Sequence, residues 1–559
     1  MKQIPRLLFW ISERGEYFLA AFGVALATWM ANYVFRLDLT RALTDQSAHL
    51  NFARLTIDSA TPGISQLGFW PPLLHILLVP ITGMVESLYR SGLAGFVVLL
   101  PFFILGSIFL YRTLLLITKQ KLLSLTGAIT FLTSPYVLYY SVTPMMEVLF
   151  LANLMGVVYF FTRWFYEQKI HLLIWAAAFV VLATLSRYEG FILIPIGAFL
   201  VWFFLWRQKK QSEEIEAALV LFLFLASWGV LAIGLYGWIY GGTPFAFMGG
   251  WWIRDSEYFP TQYNIFASLR YALNASFYVI GKPLVLFSVI GLPALFVLAR
   301  KNTVAIAVLL LSVSPFFMIV ISLFRGYPPI MVPDLPPFGL FFNERYGLTW
   351  IGFAIAFPLV LASFFSQYLS RISPFLARSF TSVVCIAFLS FSIAHFHQKV
   401  FTEEFREIRM NLGVDGTDQD ELTRILSVRY DYGKILITRT INDGLVNELG
   451  IPLKNFIFEA NNLLYQQTME EPWLFARWVV MAKEQEPISE RWEDSELFHR
   501  FYEPVAENET RKLYKVNEDA LGRMLEEHGY NARAVPSLRE DTKPWNAQTV
   551  YYDIRNEHL

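Results

Sequence analysis

A few ionisable residues of this 559-residue chain stand between long apolar runs, where their chemistry would be to move a proton or hold an anion. They are Asp45, Glu147, Arg187 with Glu189, and Glu344 with Arg345. A carboxylate such as Asp45, just outside an apolar run, can take the proton of a substrate hydroxyl. A guanidinium such as Arg187 or Arg345 can grip a phosphate through two parallel hydrogen bonds. Asp45 and His49 share a face if their stretch is helical. Each residue also has a plainer reading. Asp45 is equally a helix cap. Glu147 is equally a first-turn acid facing the positive end of a helix dipole. Arg187 is equally one half of an ion pair with Glu189 or Glu147. Tyr188 and Tyr346 accompany the two arginines. Arg254-Asp255 is a substrate-binding segment of a long loop or only a solvated face.

Metal chemistry has a weaker signature. His49, His75, His395 and His397 lack zinc-site spacing, and there is no H-E-x-x-H. Asp45 with Glu147 offers oxygen ligands for Mg²⁺ or Mn²⁺, but the first loop has no D-x-D. No cofactor is required by the pattern, and a divalent cation is the alternative. The single cysteine, Cys385, excludes an intramolecular disulfide and a cysteine metal cluster. No phosphate-binding G-x-x-x-x-G-K-[ST] and no G-x-G-x-x-G after a strand is present. Net charge is −1, so no basic field argues for nucleic acid.

The elements that must position these residues are membrane helices. The chain is 55% hydrophobic and only 16% charged, against about a quarter charged in an ordinary soluble domain. A helix needs about 20 apolar residues to cross a bilayer, and about eleven runs qualify. The first is Tyr17–Phe35 and the last Phe380–His395; Leu122–Tyr140 and His171–Ser186 are among them. Basic clusters at Lys119/Lys121, Arg163/Lys169, Arg207/Lys209/Lys210 and Arg371/Arg378 mark the cytoplasmic side. This alternation holds if Trp70–Tyr89 lies at the interface rather than crossing. The N-terminus is then cytoplasmic. Asp45, Glu147, Arg187, Glu189, the loop with Arg254, and Arg345 all face the other side.

The expected fold is therefore mostly α, a polytopic transmembrane helix bundle followed by a C-terminal soluble α/β domain. The membrane domain is expected at 1–397, with a first outer loop at 36–70, and the extracytoplasmic domain at 398–559. Within the latter, Lys434–Thr438, Asn455–Phe458 and Arg477–Met481 have the composition of short buried strands, and Asp443–Leu449 has helical spacing. The last forty or so residues read as a polar extension.

In order and spacing, these pieces resemble the GT-C superfamily of multi-pass membrane glycosyltransferases. The likeness is to the branch with protein O-mannosyltransferases and lipid A aminoarabinose transferases. It rests on Asp45, Arg54–Gly63, Trp70-Pro-Pro-Leu73, Glu147, Ser186-Arg-Tyr-Glu-Gly190 and Glu344-Arg-Tyr-Gly347. The resemblance implies an inverting transferase of the plasma membrane. Its donor is a sugar on a polyprenyl or dolichyl phosphate, and its acceptor a hydroxyl of a protein, glycolipid or glycan outside the cytoplasm. Asp45 would then be the base, and Arg187 and Arg345 would stabilise the departing lipid phosphate. Glu147 would orient the acceptor or a metal. His49, Tyr188, Glu189, Arg254 and Tyr346 would line the substrate sites. Many relatives carry a second acid beside the first, whereas Gln46 follows Asp45 here.

The competing function is a transporter or flippase for a lipid-linked sugar. Such a protein should show Gly/Pro-broken polar segments at mid-membrane in two related halves. This chain instead gathers its charges at one face and shows no internal repeat. A receptor or scaffold would leave Arg187 and Glu147 without a use.

Overall fold

The computed structural model describes residues 14–246, 264–294, 302–326, 330–336, 338–406, 408–410, 417–439, 442–483, 486–530 and 535–538. The chain divides into two compact units. One is Met1–Leu37, Phe69–Leu74 and Gly95–Glu407; the other is Asp38–Gly68, His75–Ala94 and Ile408–Leu559.

The first unit is a helix bundle. Among the described residues, nine helices are long and apolar enough to cross a membrane, from Gly15–Arg36 to Pro374–Thr402. Two expected spans are short: Lys121–Leu132 and Ile170–Ser186. The run expected as one span over Leu122–Tyr140 breaks at Thr133-Ser134, and a second helix starts at Pro135. Proline lacks the N–H needed inside a helix but suits its first position. The remaining short apolar helix, Leu73–Met84, falls in the segment expected not to cross.

At the centre of the bundle stands Met146–Glu167, whose apolar window is 89% buried. A helix buried on nearly every side needs no polar face, and this one packs rings instead. Phe109 and Tyr159 stack at 5.5 Å, and Phe161 meets Phe222 edge-on at 5.4 Å. Its polar contacts are few and specific. Asn153 Nδ2 donates to Ser186 Oγ at 3.1 Å, which ties it to Ile170–Ser186.

The second unit is an α/β domain. Its strands are β1 (Ile435–Ile437), β2 (Phe456–Ile457), β3 (Trp478–Ala482), β4 (Tyr502–Glu507) and β5 (Arg511–Val516). They form one sheet in the order β2-β1-β3-β5-β4. The three runs expected as strands are β1, β2 and β3, which pair in parallel; β4 and β5 are an antiparallel hairpin. The parallel strands are buried on both faces and so read as continuous apolar runs. The hairpin alternates with charge and escapes that signal. The helix expected over Asp443–Leu449 runs Asp443–Glu448.

This unit also takes in the loop that carries Asp45. Ala60 belongs to the same apolar core as Leu436, Trp473 and Phe475. The Asp58 carboxylate accepts the backbone N–H groups of Leu453 and Lys454 at 3.2 and 3.4 Å. Gln66 Nε2 donates to the Ala460 carbonyl at 3.1 Å, and Asn461 Nδ2 to Thr61 Oγ1 at 2.9 Å. Arg41 donates to Asn447.

Candidate functional sites

In the bundle, four of the expected site residues form one buried ion cluster. Glu147 lies in the first turn of Met146–Glu167, after an extended Met145. Arg187 ends Ile170–Ser186 in an extended conformation, and a short 3-10 turn, Tyr188–Ile192, follows. That extended residue stops the helix and brings Arg187 to Glu147. Gly190 makes the tight turn feasible, because a Cβ there would stand 2.7 Å from the carbonyl of Ala183. Arg345 enters on another 3-10 segment, Glu344–Trp350, where Gly347 lies too close to the backbone of Ser276 for any side chain.

The geometry is a guanidinium shared by two carboxylates. Arg187 Nη1 donates to Glu147 Oε1 at 2.5 Å, Nη2 to Glu189 Oε1 at 2.6 Å, and Nε to Glu189 at 3.1 Å. Arg345 Nε lies 3.3 Å from the same Glu147 oxygen. Tyr346 caps the group, with its ring 4.7 Å from the Arg187 guanidinium carbon. The Tyr188 hydroxyl donates to the Phe69 carbonyl. Side-chain exposures are 4% for Glu147, 9% for Arg187, 8% for Glu189 and 13% for Arg345.

Both pairings open to Arg187 are therefore made at once. Its fork is filled by carboxylates, while Arg345 is the more exposed cation. Glu147 Oε2 is buried with no hydrogen-bond partner among the described residues. Such an orphan calls for a ligand or a catalytic use.

In the α/β unit, Asp45 is the second residue of helix Thr44–Leu55. It is not the cap: Leu43 holds that position, and the Gln46 side chain accepts the Leu43 N–H at 3.0 Å. Gln46 thus closes the helix start. Asp45 is half-buried. One turn on, His49 is buried with Nδ1 2.8 Å from His75 Nε2. Asn51 Nδ2 donates to Asp443 Oδ1 at 2.7 Å, and the Tyr89 hydroxyl donates to Asn51 Oδ1 at 2.7 Å. Arg439 lies 3.9 Å over the Phe52 ring and 3.3 Å from Asp443.

Sequence reasoning missed Asp443, Arg439, Asn51 and His75 as neighbours of the Asp45 helix. The one local signal was an acid opening a helix directly after a buried strand. Among the described residues, no three His, Cys, Asp or Glu side chains gather as metal ligands. Arg254 lies outside the described residues.

Asp443 is held up to about 6, above the usual carboxylate range. Burial is the main cause; Arg439 and the Asn51 hydrogen bond oppose it, and the charges of Glu459 and Asp45 add to it. The folded chain therefore keeps a proton that the unfolded chain, near pH 4, has lost. This stabilisation is present below pH 4 and disappears as pH rises through about 6. Asp443→Asn should lose that dependence. Thermal unfolding of both proteins between pH 4 and 7 checks it: the wild-type curve should fall relative to the variant, and parallel curves would refute the assignment.

No protein-family description and no curated protein matches this sequence. Several solved structures are similar. The archaeal oligosaccharyltransferase AglB from Archaeoglobus fulgidus, in complex with an inhibitory peptide and a dolichol-phosphate, is 12% identical with a TM-score of 0.48. The match covers 89% of this chain and 73% of that one. A structure of the Archaeoglobus fulgidus oligosaccharyltransferase in complex with Zn and sulfate matches at 11% identity and TM-score 0.47, with the same coverages of 89% and 73%. ArnT from Cupriavidus metallidurans in the apo state is 12% identical with a TM-score of 0.45, over 89% of this chain and 98% of that one.

Proposed function

We propose that this chain is an inverting glycosyltransferase of the membrane, moving a sugar from a polyprenyl phosphate to an acceptor hydroxyl outside the cytoplasm. One observation carries the reading: the buried cluster in which Arg187 binds Glu147 and Glu189 while Arg345 and the unpartnered Glu147 Oε2 complete it. A buried ion cluster is costly and weak as a stabiliser, so its retention at a helix junction suits a reacting centre.

The role of Asp45 is carried over from the family resemblance, and those of the cluster are assigned from exposure and pairing. Asp45 takes the proton of the acceptor hydroxyl as that oxygen attacks the sugar C1. The bond from C1 to the lipid phosphate breaks in the same step, and the phosphate leaves with the electron pair. Arg345 stabilises its charge. Arg187 is a positioning residue, because its donors already serve Glu147 and Glu189. Glu147 Oε2 is the atom that would accept the acceptor hydroxyl or ligate a divalent cation. Tyr346 shields the arginines, Tyr188 anchors the turn, and His49 steadies the Asp45 helix through His75. Arg254 is assigned to the substrate loop on sequence grounds alone.

The test is direct. Purified protein, given a polyprenyl-phosphate sugar and a panel of hydroxyl acceptors, should release polyprenyl phosphate as the acceptor gains sugar. Movement of intact donor across a vesicle bilayer with no such release would establish the transporter instead. Arg345→Ala should weaken donor binding about tenfold or more, the worth of a charge-assisted hydrogen bond. Unaltered donor binding in that variant would remove Arg345 from the phosphate site.

A further inference from the structure

One helix of the bundle is interrupted by a π-turn at Phe277–Gly281 and another ends in one at His397–Thr402, and residues of both turns wall a single cavity of about 650 Å³. A π-turn inserts a residue and disturbs the regular ladder, and it recurs at functional sites. In the first turn, the Val279 backbone receives a hydrogen bond from His395. The second brings Lys399 indoors, 5% exposed and 2.6 Å from Glu403. His395 is 8% exposed and stacks on Phe391 at 5.6 Å. Its Nε2 meets no hydrogen-bond partner among the described residues. A ring nitrogen left unpaired in the wall of a cavity needs a partner that enters it.

The cavity adjoins an apolar groove of about 510 Å³, and Pro283 and Phe391 line both. The groove lies among helices Lys282–Ile290, Ile351–Ser370 and Pro374–Phe396 and is walled by Phe287, Phe365, Phe380 and Phe388. The cavity is polar. Lys282, Lys399 and Arg406 line it against Asp334 and Glu403, so the described lining keeps one positive charge in excess. Lys282 and Arg406 are exposed. Asp334 accepts the Tyr278 hydroxyl at 2.8 Å, and Asn274 stands on the same wall.

An apolar groove joined to a cationic cavity asks for an apolar chain with an anionic head. A phosphodiester carries one negative charge and matches the excess of one; a phosphate monoester carries close to two at neutral pH. The carboxylates and the amide are acceptors for head-group hydroxyls. We infer that this is a binding site for an anionic glycerophospholipid with a hydroxylated head group. Its acyl chain lies in the groove, its phosphodiester sits against His395 and Lys399, and Lys282 and Arg406 guard the mouth. None of these residues has a part in the transfer reaction proposed above, so the site stands whether or not that reading does.

The test is labelling of the full-length protein, in phosphatidylcholine nanodiscs, with photoactivatable phosphatidylglycerol or photoactivatable phosphatidylcholine as a trace. Phosphatidylglycerol should label the groove helices about tenfold more strongly, the worth of one charge-assisted contact. Lys399→Gln should bring the two lipids level. Because Lys399 is buried, Lys282→Gln with Arg406→Gln at the exposed mouth is the second variant and should lower the ratio in an intact fold. Equal labelling by both lipids, labelling confined to other helices, or ratios unmoved in the mouth variant would overturn the site. Displacement of phosphatidylglycerol by an equimolar polyprenyl-phosphate sugar, itself a phosphodiester with a hydroxylated head, or by polyprenyl phosphate would overturn it too, by making the groove a donor or carrier site.

Discussion

Asp45→Asn should lower turnover by about 10²–10⁴-fold, the usual worth of a positioned general base, while donor affinity stays within about twofold. The carboxamide has the shape of the carboxylate and none of its basicity. The N-cap position belongs to Leu43, and its N–H is closed by the Gln46 side chain. The helix Thr44–Leu55 should therefore keep its place when Asp45 changes. The fall should appear in the maximal rate and not in substrate binding, because the proton is abstracted only as the transition state forms. Asp45→Glu keeps the base and moves it by one methylene, so it should retain part of the activity. Single-turnover release of polyprenyl phosphate, with donor binding measured separately, checks the split. Turnover equal to wild type in Asp45→Asn would remove Asp45 from the chemistry, and lost donor binding would reassign it to the substrate site.

Arg187→Met should be the most destabilising single change in the bundle, by about 3–5 kcal/mol. The substitution leaves Glu147 and Glu189 as buried like charges with their shared guanidinium gone. Arg345 Nε stands 3.3 Å from Glu147, a longer contact than either of the bonds that Arg187 makes through its terminal nitrogens. Arg187→Lys should recover little, because a point ammonium cannot hold two carboxylates in the fork geometry. The pair Arg187→Met with Glu189→Gln should be more stable than Arg187→Met alone, since the uncompensated charge is removed along with its partner. Thermal unfolding of the four proteins in one detergent checks the order. A shift in Arg187→Met no larger than that of a surface substitution would show that the cluster is solvated and not a closed ion network.

These two expectations come from different depths of the same chain. Local chemistry was legible without coordinates. Apolar length marked the helices, and basic clusters marked their ends. The three runs that became β1, β2 and β3 stood out because a strand buried on both faces has no polar positions to disguise it. Glu147, Arg187 and Arg345 stood out because an ionisable group beside a membrane-length run is expensive and so is rarely idle.

Their pairing was not legible. The sequence left Arg187 open to Glu147, to Glu189 or to a phosphate, and only the folded chain shows its donors divided between both acids. The choice depends on the extended Arg187 backbone and on Gly190 packed against Ala183, neither of which has a periodic signature. The Asp45 loop carries the same lesson. Asn51 and Asp443 are separated by 392 positions yet share a 2.7 Å hydrogen bond. Composition and periodicity report neighbours within a turn or two of chain, and they determined the long apolar helices, the three parallel strands and the residues that bear charge. Contacts across hundreds of positions are set by how apolar faces are buried together, and that alone decided which acid met which cation.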